Sequence, residues 1–421
     1  MISGFAFTLI AYSVSHDVII AGMVGMVFAL CEGLSTLPGG YLADHADRKQ
    51  LLIFFGVTST IILVVMSAAL LTGWMTTPLL FLFAVLRGLT SGLFSNISNI
   101  VLPQILTGNQ LVQAYSANQS RDACIQLFAK PFSGFLYGLG PEVPFLLSAI
   151  MYILMSITTP LIRADLHPST RVYIDTNLTE DDDGNSHITR TVEAVQDNTA
   201  HDAHPTGAQN NPKYESSLAG FTWYARHPQA LSIFGSVLLI NCVITLLVGI
   251  MILDQQTLQT PGVLIGLIST GSGIGLLSGA FLTAPLSQHY TGGRIVQISV
   301  LVILLGCVFQ PYTHQVYVLI ICMTVTNLMI VPANSILGSY SDLIIPNALR
   351  GRVTSIFALC NIVLGSVSSA VAGILLAVIG YRNAMNTAVA AVLVTVLVTF
   401  TSRGIRDIPS RDQFSNLTPW E

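Results

Sequence analysis

The chain has 421 residues, 52% of them hydrophobic and 9% charged, with a net charge of −4 and a mean hydropathy of +0.68. Soluble globular domains are about 25% charged, so a soluble surface of this size is excluded. The alternating ten-residue segments of a membrane β-barrel are absent too, which leaves an all-α polytopic membrane protein.

Apolar runs fall at 1–15, 18–43, 51–75, 78–106, 114–138, 143–162, 230–253, 262–286, 294–311, 315–345, 353–379 and 384–402. They predict twelve transmembrane helices. The first is shorter than the roughly 20 residues a span needs and reads as a helix truncated at its N-terminus. It has no basic n-region and no A-x-A site, so it is not a cleavable signal peptide. The six cysteines (Cys31, Cys124, Cys242, Cys307, Cys322 and Cys360) lie in apolar runs without paired spacing. They read as small buried apolar residues, with no disulfide, metal or cofactor.

Between the second and third runs the sequence reads "GGYLADHADRKQLL", with Asp44, His45, Asp47, Arg48 and Lys49 crowded together. Cytoplasmic loops carry an excess of Lys and Arg. Arg48 and Lys49, the 163–226 stretch, Arg294, Arg350, Arg352 and the tail at Arg403, Arg406 and Arg411 all fall on one side, and only Arg382 on the other. Both termini and the middle loop are therefore expected in the cytoplasm.

Ionisable groups inside a bilayer are costly and mark function. Glu32, Arg87, Arg121, Asp122 and Lys130 stand out. Glu32 lies twelve residues before Asp44, about 18 Å along a helix, near mid-membrane. Arg87, Ser91, Ser95 and Asn99 recur at steps of four in the fourth run, as do Asn118, Asp122, Gln126 and Lys130 in the fifth. Residues four apart share a helix face. The tenth run offers Asn327, Asn334 and Ser341. Ser91, Ser95, Asn118, Gln126, Lys130, Asn327 and Asn334 are the substrate-cavity candidates. Glu32 is the leading proton-coupling candidate, with Arg87 or Lys130 to pair its ionised form and Asp122 as a rival.

Residues 166–217 are polar, acidic in their first part and without apolar periodicity, the composition of a disordered linker. His201 and His204 within it read as solvated loop histidines. "ESSLAGFTWYARHPQ" (Glu215–Gln229) then resembles an amphipathic helix lying on the membrane. The expected units are a six-helix bundle at 1–165, the linker at 166–217, an interfacial helix plus a second six-helix bundle at 218–402, and a tail at 403–421. The two bundles echo each other: Asn99, Pro103 and Asn118 recur as Asp342, Pro346 and Asn361, at a constant offset of 243. Parallel six-span repeats suit a transporter that rocks one half against the other.

"GYLADHADRK" resembles the loop signature of the major facilitator superfamily, roughly G-x-L-A-D-x-x-G-R-K, with Asp47 in place of the second glycine. "LPQILTGNQLVQAYSAN", "GFTWYARHP" and "IPNALRGRV", the last holding Arg350, Gly351 and Arg352, resemble its branch of drug and siderophore exporters. Arg87 resembles the arginine of a fourth-helix antiporter motif. "KPFSG" resembles the fifth-helix motif G-P-x-x-G, with Lys130 in place of its glycine. The resemblance implies two pseudo-symmetric six-helix bundles and alternating access. It also implies a conformational latch at Gly40, Asp44, Asp47, Arg48 and Lys49, and proton-driven efflux of an amphipathic small molecule. An importer of nutrients, or a non-transporting sensor on the same fold, is the alternative. No phosphate-binding loop, H-E-x-x-H or G-x-S-x-G is present, so neither an ATP-driven pump nor an enzyme is expected. The expected partners are the lipid bilayer, a small molecule and protons, with no nucleic acid. A monomer in the plasma membrane is expected.

Overall fold

The computed structural model describes residues 2–45, 47–94, 125, 127–161, 170–180, 186–196, 219–346 and 349–409. Some of these are described by their backbone alone, among them Gly40, Asp44, Arg48, Arg350, Gly351, Arg352 and residues 170–180 and 186–196. The first half contains α1 (Ile2–Ser15), α2 (Val18–His45), α3 (Arg48–Leu71), α4 (Thr77–Phe94), α5 (127–139) and α6 (Val143–Thr158). The second contains α7 (Ala219–Arg226), α8 (Pro228–Thr257), α9 (Gly262–His289), α10 (Gly292–Val308), α11 (Val316–Leu328), α12 (Ile330–Ile344), α13 (Arg350–Thr401) and α14 (Arg403–Arg406).

Eight described helices are long and apolar enough to cross a membrane, and two shorter apolar helices, Ile2–Ser15 and Thr77–Leu93, accompany them. Large apolar side chains point outward along them, with Phe281 82% and Val378 72% exposed, a surface suited to lipid and not to water. Each expected span has a helical counterpart among the described residues. The eleventh and twelfth share α13, which is broken at Gly380 (φ 73°, ψ 167°), a conformation glycine adopts without strain. The tenth differs from the single run expected. It splits into α11 and α12 at Met329 because Pro332, three residues later, has no N–H to continue the α11 ladder.

The middle segment also departs from expectation. A linker without regular structure was expected, whereas β1 (Thr170–Glu180) and β2 (Ser186–Gln196) pair as an antiparallel ribbon. The register places Val172, Ile174 and Leu178 opposite Ala194, Val192 and Ile188. This period-two pattern was legible in the sequence but masked by the polar residues around it.

Two ends of the bundle can be told apart by contact. Gly373 lies against the Val18 carbonyl and Gly33 against Ile362, so α2 and α13 run antiparallel. The turns near 47 and 349 share one end with the C-terminal end of α6, after which the middle segment follows, here the linker end. The turns at 16–17, 258–261, 313–315 and 380 form the distal end.

Lipid gives helices no hydrophobic reason to associate, so close packing through small residues does the work. Helix α9 shows this on two faces. Gly271, Gly275 and Gly279, four apart, lie on the carbonyls of Ile320, Thr324 and Leu328 in α11. Gly262, Gly266 and Gly273 lie on α5 in the other half, and a Cβ at Gly266 would stand 2.6 Å from the Lys130 carbonyl. Thr270 donates to the Leu127 carbonyl at 3.1 Å in the same seam. The second seam between halves is α2 on α13, where a Cβ at Gly22 would meet the Ser369 carbonyl at 2.7 Å. Among the described residues the cysteines are free.

Overpacking a tight contact costs about 1–3 kcal/mol. Gly266→Val is expected to lower the thermal unfolding temperature in detergent by several degrees. Gly138→Ala, where no atom lies within 4 Å of the added Cβ, should leave it unchanged.

Candidate substrate cavity

Helix α7 starts the second half at the linker end. Its Trp223 and Tyr224 are buried, and the Trp223 ring stacks on His227 at 4.8 Å. Pro228 at the first position of α8 suits a helix start, where the missing N–H costs nothing. A cavity of about 380 Å³ lies between α7, α8, α12 and α13. The side chains that reach it recur at helical spacing: Ile233, Phe234, Val237 and Asn241 from α8, Asn334, Leu337, Gly338 and Ser341 from α12, and Thr354, Phe357 and Asn361 from α13.

One wall is aromatic. Tyr224 meets Phe234 at 4.4 Å between ring centroids, and Phe234 meets Phe357 edge-on at 5.4 Å. Burial, with a smaller contribution from Cys360, pushes the Tyr224 hydroxyl up to about 12, so it remains a neutral donor. Asn241, Asn334 and Asn361 supply amides, each able to donate and accept. The combination offers stacking and hydrogen bonding to one small molecule.

Of the residues singled out in the sequence as cavity candidates, Asn334 lines this space. Asn361 was noticed only as part of the repeat, and Asn241, Phe234 and Phe357 were not singled out. An asparagine inside an apolar run, as in "LLINCVI", was the available signal. Asn327 is instead taken up between helices: it is 7% exposed, and its Nδ2 donates to the Met323 carbonyl at 2.8 Å and to Ser272 of α9 at 3.2 Å.

In the first half, Ser91 donates to Glu32 Oε1 at 2.5 Å. Gly88 and Gly92 let α4 approach α2 closely enough for this bond. Arg87 turns elsewhere. Its Nη2 reaches Ser3 Oγ at 3.5 Å, its guanidinium lies 5.8 Å from the Tyr152 ring, and its Nη1 has no hydrogen-bond partner among the described residues. Among the described residues neither Arg87 nor Lys130 forms an ion pair with Glu32. Lys130 belongs to the α5–α9 seam through its carbonyl. Asp47 caps α3, accepting from the Lys49 N–H at 2.8 Å. The side chains of Gly40, Asp44, Arg48, Arg350, Gly351 and Arg352, and all of Ser95, Asn118, Asp122 and Gln126, lie outside the description.

The distal end holds a polar cluster that the sequence reading passed over. Asp254, Gln255 and Gln256 close α8 and are all buried. Asp254 Oδ2 lies 2.9 Å from His314 Nδ1, and Gln256 Nε2 donates across the halves to the Thr8 carbonyl at 3.2 Å. Three consecutive polar residues ending an apolar run, "MILDQQT", were the signal.

The family model of the major facilitator superfamily matches residues 1–208 and 216–419. No curated protein matches by sequence. Among solved structures, the chain is similar to a point mutant of the nucleoside transporter NupG, with 14% identity, a TM-score of 0.65 and 96% of each chain covered. It is also similar to a bacterial homologue of the human lysosomal transporter Spinster in an inward-facing, unoccupied conformation. There the identity is 13% and the TM-score 0.64, covering 97% of this chain and 95% of that one. A D-xylose–proton symporter is similar at 13% identity and a TM-score of 0.62, with 96% of each covered. At these identities the likeness is one of fold. The family match is what identifies the chain as a membrane-embedded transporter and not an enzyme: it belongs to the major facilitator superfamily.

Proposed function

We propose that the chain exports an amphipathic small molecule by alternating access, in exchange for protons. The observation that carries this reading is the difference between the two ends. The halves touch backbone to backbone near the distal end, through Gly373 on Val18 and Gly262 on Gly134, while the aromatic and amide cavity lies at the linker end. The excess of basic residues supports a cytoplasmic linker end, and this arrangement would then load its cargo from inside the cell. The direction of transport also rests on the loop and helix motifs shared with drug and siderophore exporters. The plasma membrane is the proposed location, with both termini inside, and the monomer the proposed unit.

The cavity suits a cargo with an aromatic or aliphatic body and several polar edges. Glu32 remains the proposed coupling acid in the first half, where its bond to Ser91 ties α2 to α4. Arg87, free of any carboxylate among the described residues, would pair with Glu32 only in another state of the cycle. Asp44 and its neighbours remain the proposed latch, through contacts that must break when the linker end closes.

Reconstitution in vesicles with a pH gradient tests this, following proton movement while macrolides, other lipophilic drugs and siderophores are added. Substrate-dependent proton flux is expected from the parent chain, and Asp44→Asn should abolish it. Asn334→Leu removes a cavity amide, and the loss of one hydrogen bond should lower flux about tenfold at limiting substrate. Glu32→Gln is expected to retain substrate binding but uncouple it from protons. Full coupled flux in Glu32→Gln would remove that residue from the mechanism.

A further inference from the structure

At the distal end, polar groups gather around one buried acid, and its near neighbour Gln256 reaches across to the other half. Asp254 is 5% exposed, one turn before the end of α8. A buried intramembrane carboxylate is expensive unless it has a partner and a role. Its partner, His314, sits in the turn before α11 and has a side chain 52% exposed, so water reaches the imidazole. The Tyr381 ring, one residue past the Gly380 break, stacks on His314 at 4.5 Å. Its hydroxyl donates to the carbonyls of Gln310 at 2.9 Å and Thr313 at 3.2 Å, which holds the turn that presents His314. Gln255 Nε2 donates to the His314 carbonyl at 3.2 Å and its Oε1 accepts from Thr260. The next residue, Gln256, crosses to Thr8 of α1.

Other titratable and charged groups at this end include Tyr381, Cys322 and Tyr317 of α11, Cys307 of α10, Tyr312, and Arg382, which lies over the Tyr312 ring at 4.9 Å. Tyr12 and His16 from α1 and Tyr137 from α5 line a crevice with Gln256. Asp17 caps α2 through the Ile19 N–H at 2.7 Å, and Glu142 stands at the start of α6. Of the carboxylates among these, Asp254 is the one bonded to a histidine.

We propose that Asp254 and His314 form a proton-binding site which, loaded from the distal side, holds that end closed. The proposal rests on the alternating-access reading. Histidine is the side chain whose charge ordinarily changes between about pH 5 and 8. Taking up a proton turns the His314–Asp254 contact from a hydrogen bond between a neutral imidazole and a carboxylate into an ion pair with the same geometry. That bond exists only while the end of α8 is packed on the 313–315 turn, the same packing that aims Gln256 at Thr8. Acid on the distal side therefore favours the closed end, and loss of the proton makes opening easier. In an exchange cycle this would return the carrier, having released its cargo, to the state open at the linker end.

The test places a cysteine at position 12, inside the crevice facing Gln256, as Tyr12→Cys. Its labelling by a membrane-impermeant maleimide from the distal side of vesicles is followed between about pH 5.5 and 8, the ordinary histidine range. Thr72→Cys in the exposed distal turn corrects for the reagent's own pH dependence. Corrected labelling should rise about fivefold from acid to alkaline pH, in keeping with an ion pair whose histidine is half exposed. His314→Gln, which can still donate but does not titrate, should flatten the profile, and so should Asp254→Asn. An unchanged profile in His314→Gln, or a flat one in the parent, overturns the site. A pH-dependent profile without flux of any cargo supports the site and counts against the exporter reading.

Discussion

Helix backbones touch across the middle of this protein where a side chain is missing, and the rest of the architecture is arranged around those contacts. Helix α9 lies on α11 within its own half and on α5 in the other. Helix α2 does the same, on α4 in its own half and on α13 across the divide. These are equivalent positions in two six-span repeats, so the echo between the halves reappears as matching contacts. The solutions differ in detail. In the second half the glycines belong to α9, whereas in the first α4 contributes Gly88 and Gly92 and α2 contributes Gly39, which lies on the Leu93 carbonyl. The geometry has been kept while the glycines that permit it are shared between both partners in the first half.

The halves have diverged further in chemistry. The first holds its polar groups as Glu32, Arg87 and Lys130 within the helices. The second presents amides and rings to its cavity and keeps its acid, Asp254, at the far end. Arg87 shows how little sequence spacing says about partnership. It shares a helical row with Ser91, yet Ser91 meets Glu32 while Arg87 faces Ser3 and Tyr152. A step of four residues turns about 400°, so a row drifts round its helix and its members address different neighbours.

Most of the helical framework was legible, because a span of about 20 apolar residues is a long and redundant signal. The break in the tenth span was not read, although Pro332 was visible, because proline inside membrane helices is often tolerated. The β ribbon was missed because its alternation covers few residues within a polar segment. The cavity was legible only in part. Asn334 could be found as a polar residue in an apolar run, but the aromatic wall could not. Phe234 and Phe357 look like any lipid-facing phenylalanine until α8 and α13 are seen side by side. The Asp254–His314 pair was hidden for a related reason: its members are 60 residues apart, and each alone looks like the polar edge of a span.

The stretch between Leu161 and Ala219 joins two bundles that already recognise each other through α2 on α13 and α5 on α9. It need not fix their geometry. A two-stranded ribbon alone is marginal in water and would make a weak strut. Its remaining service is to keep one bundle near the other, since joining two units raises their effective concentration. Covalent continuity is then a convenience of assembly. Among the described residues, the close contact of one bundle with the other is carried by the two glycine seams.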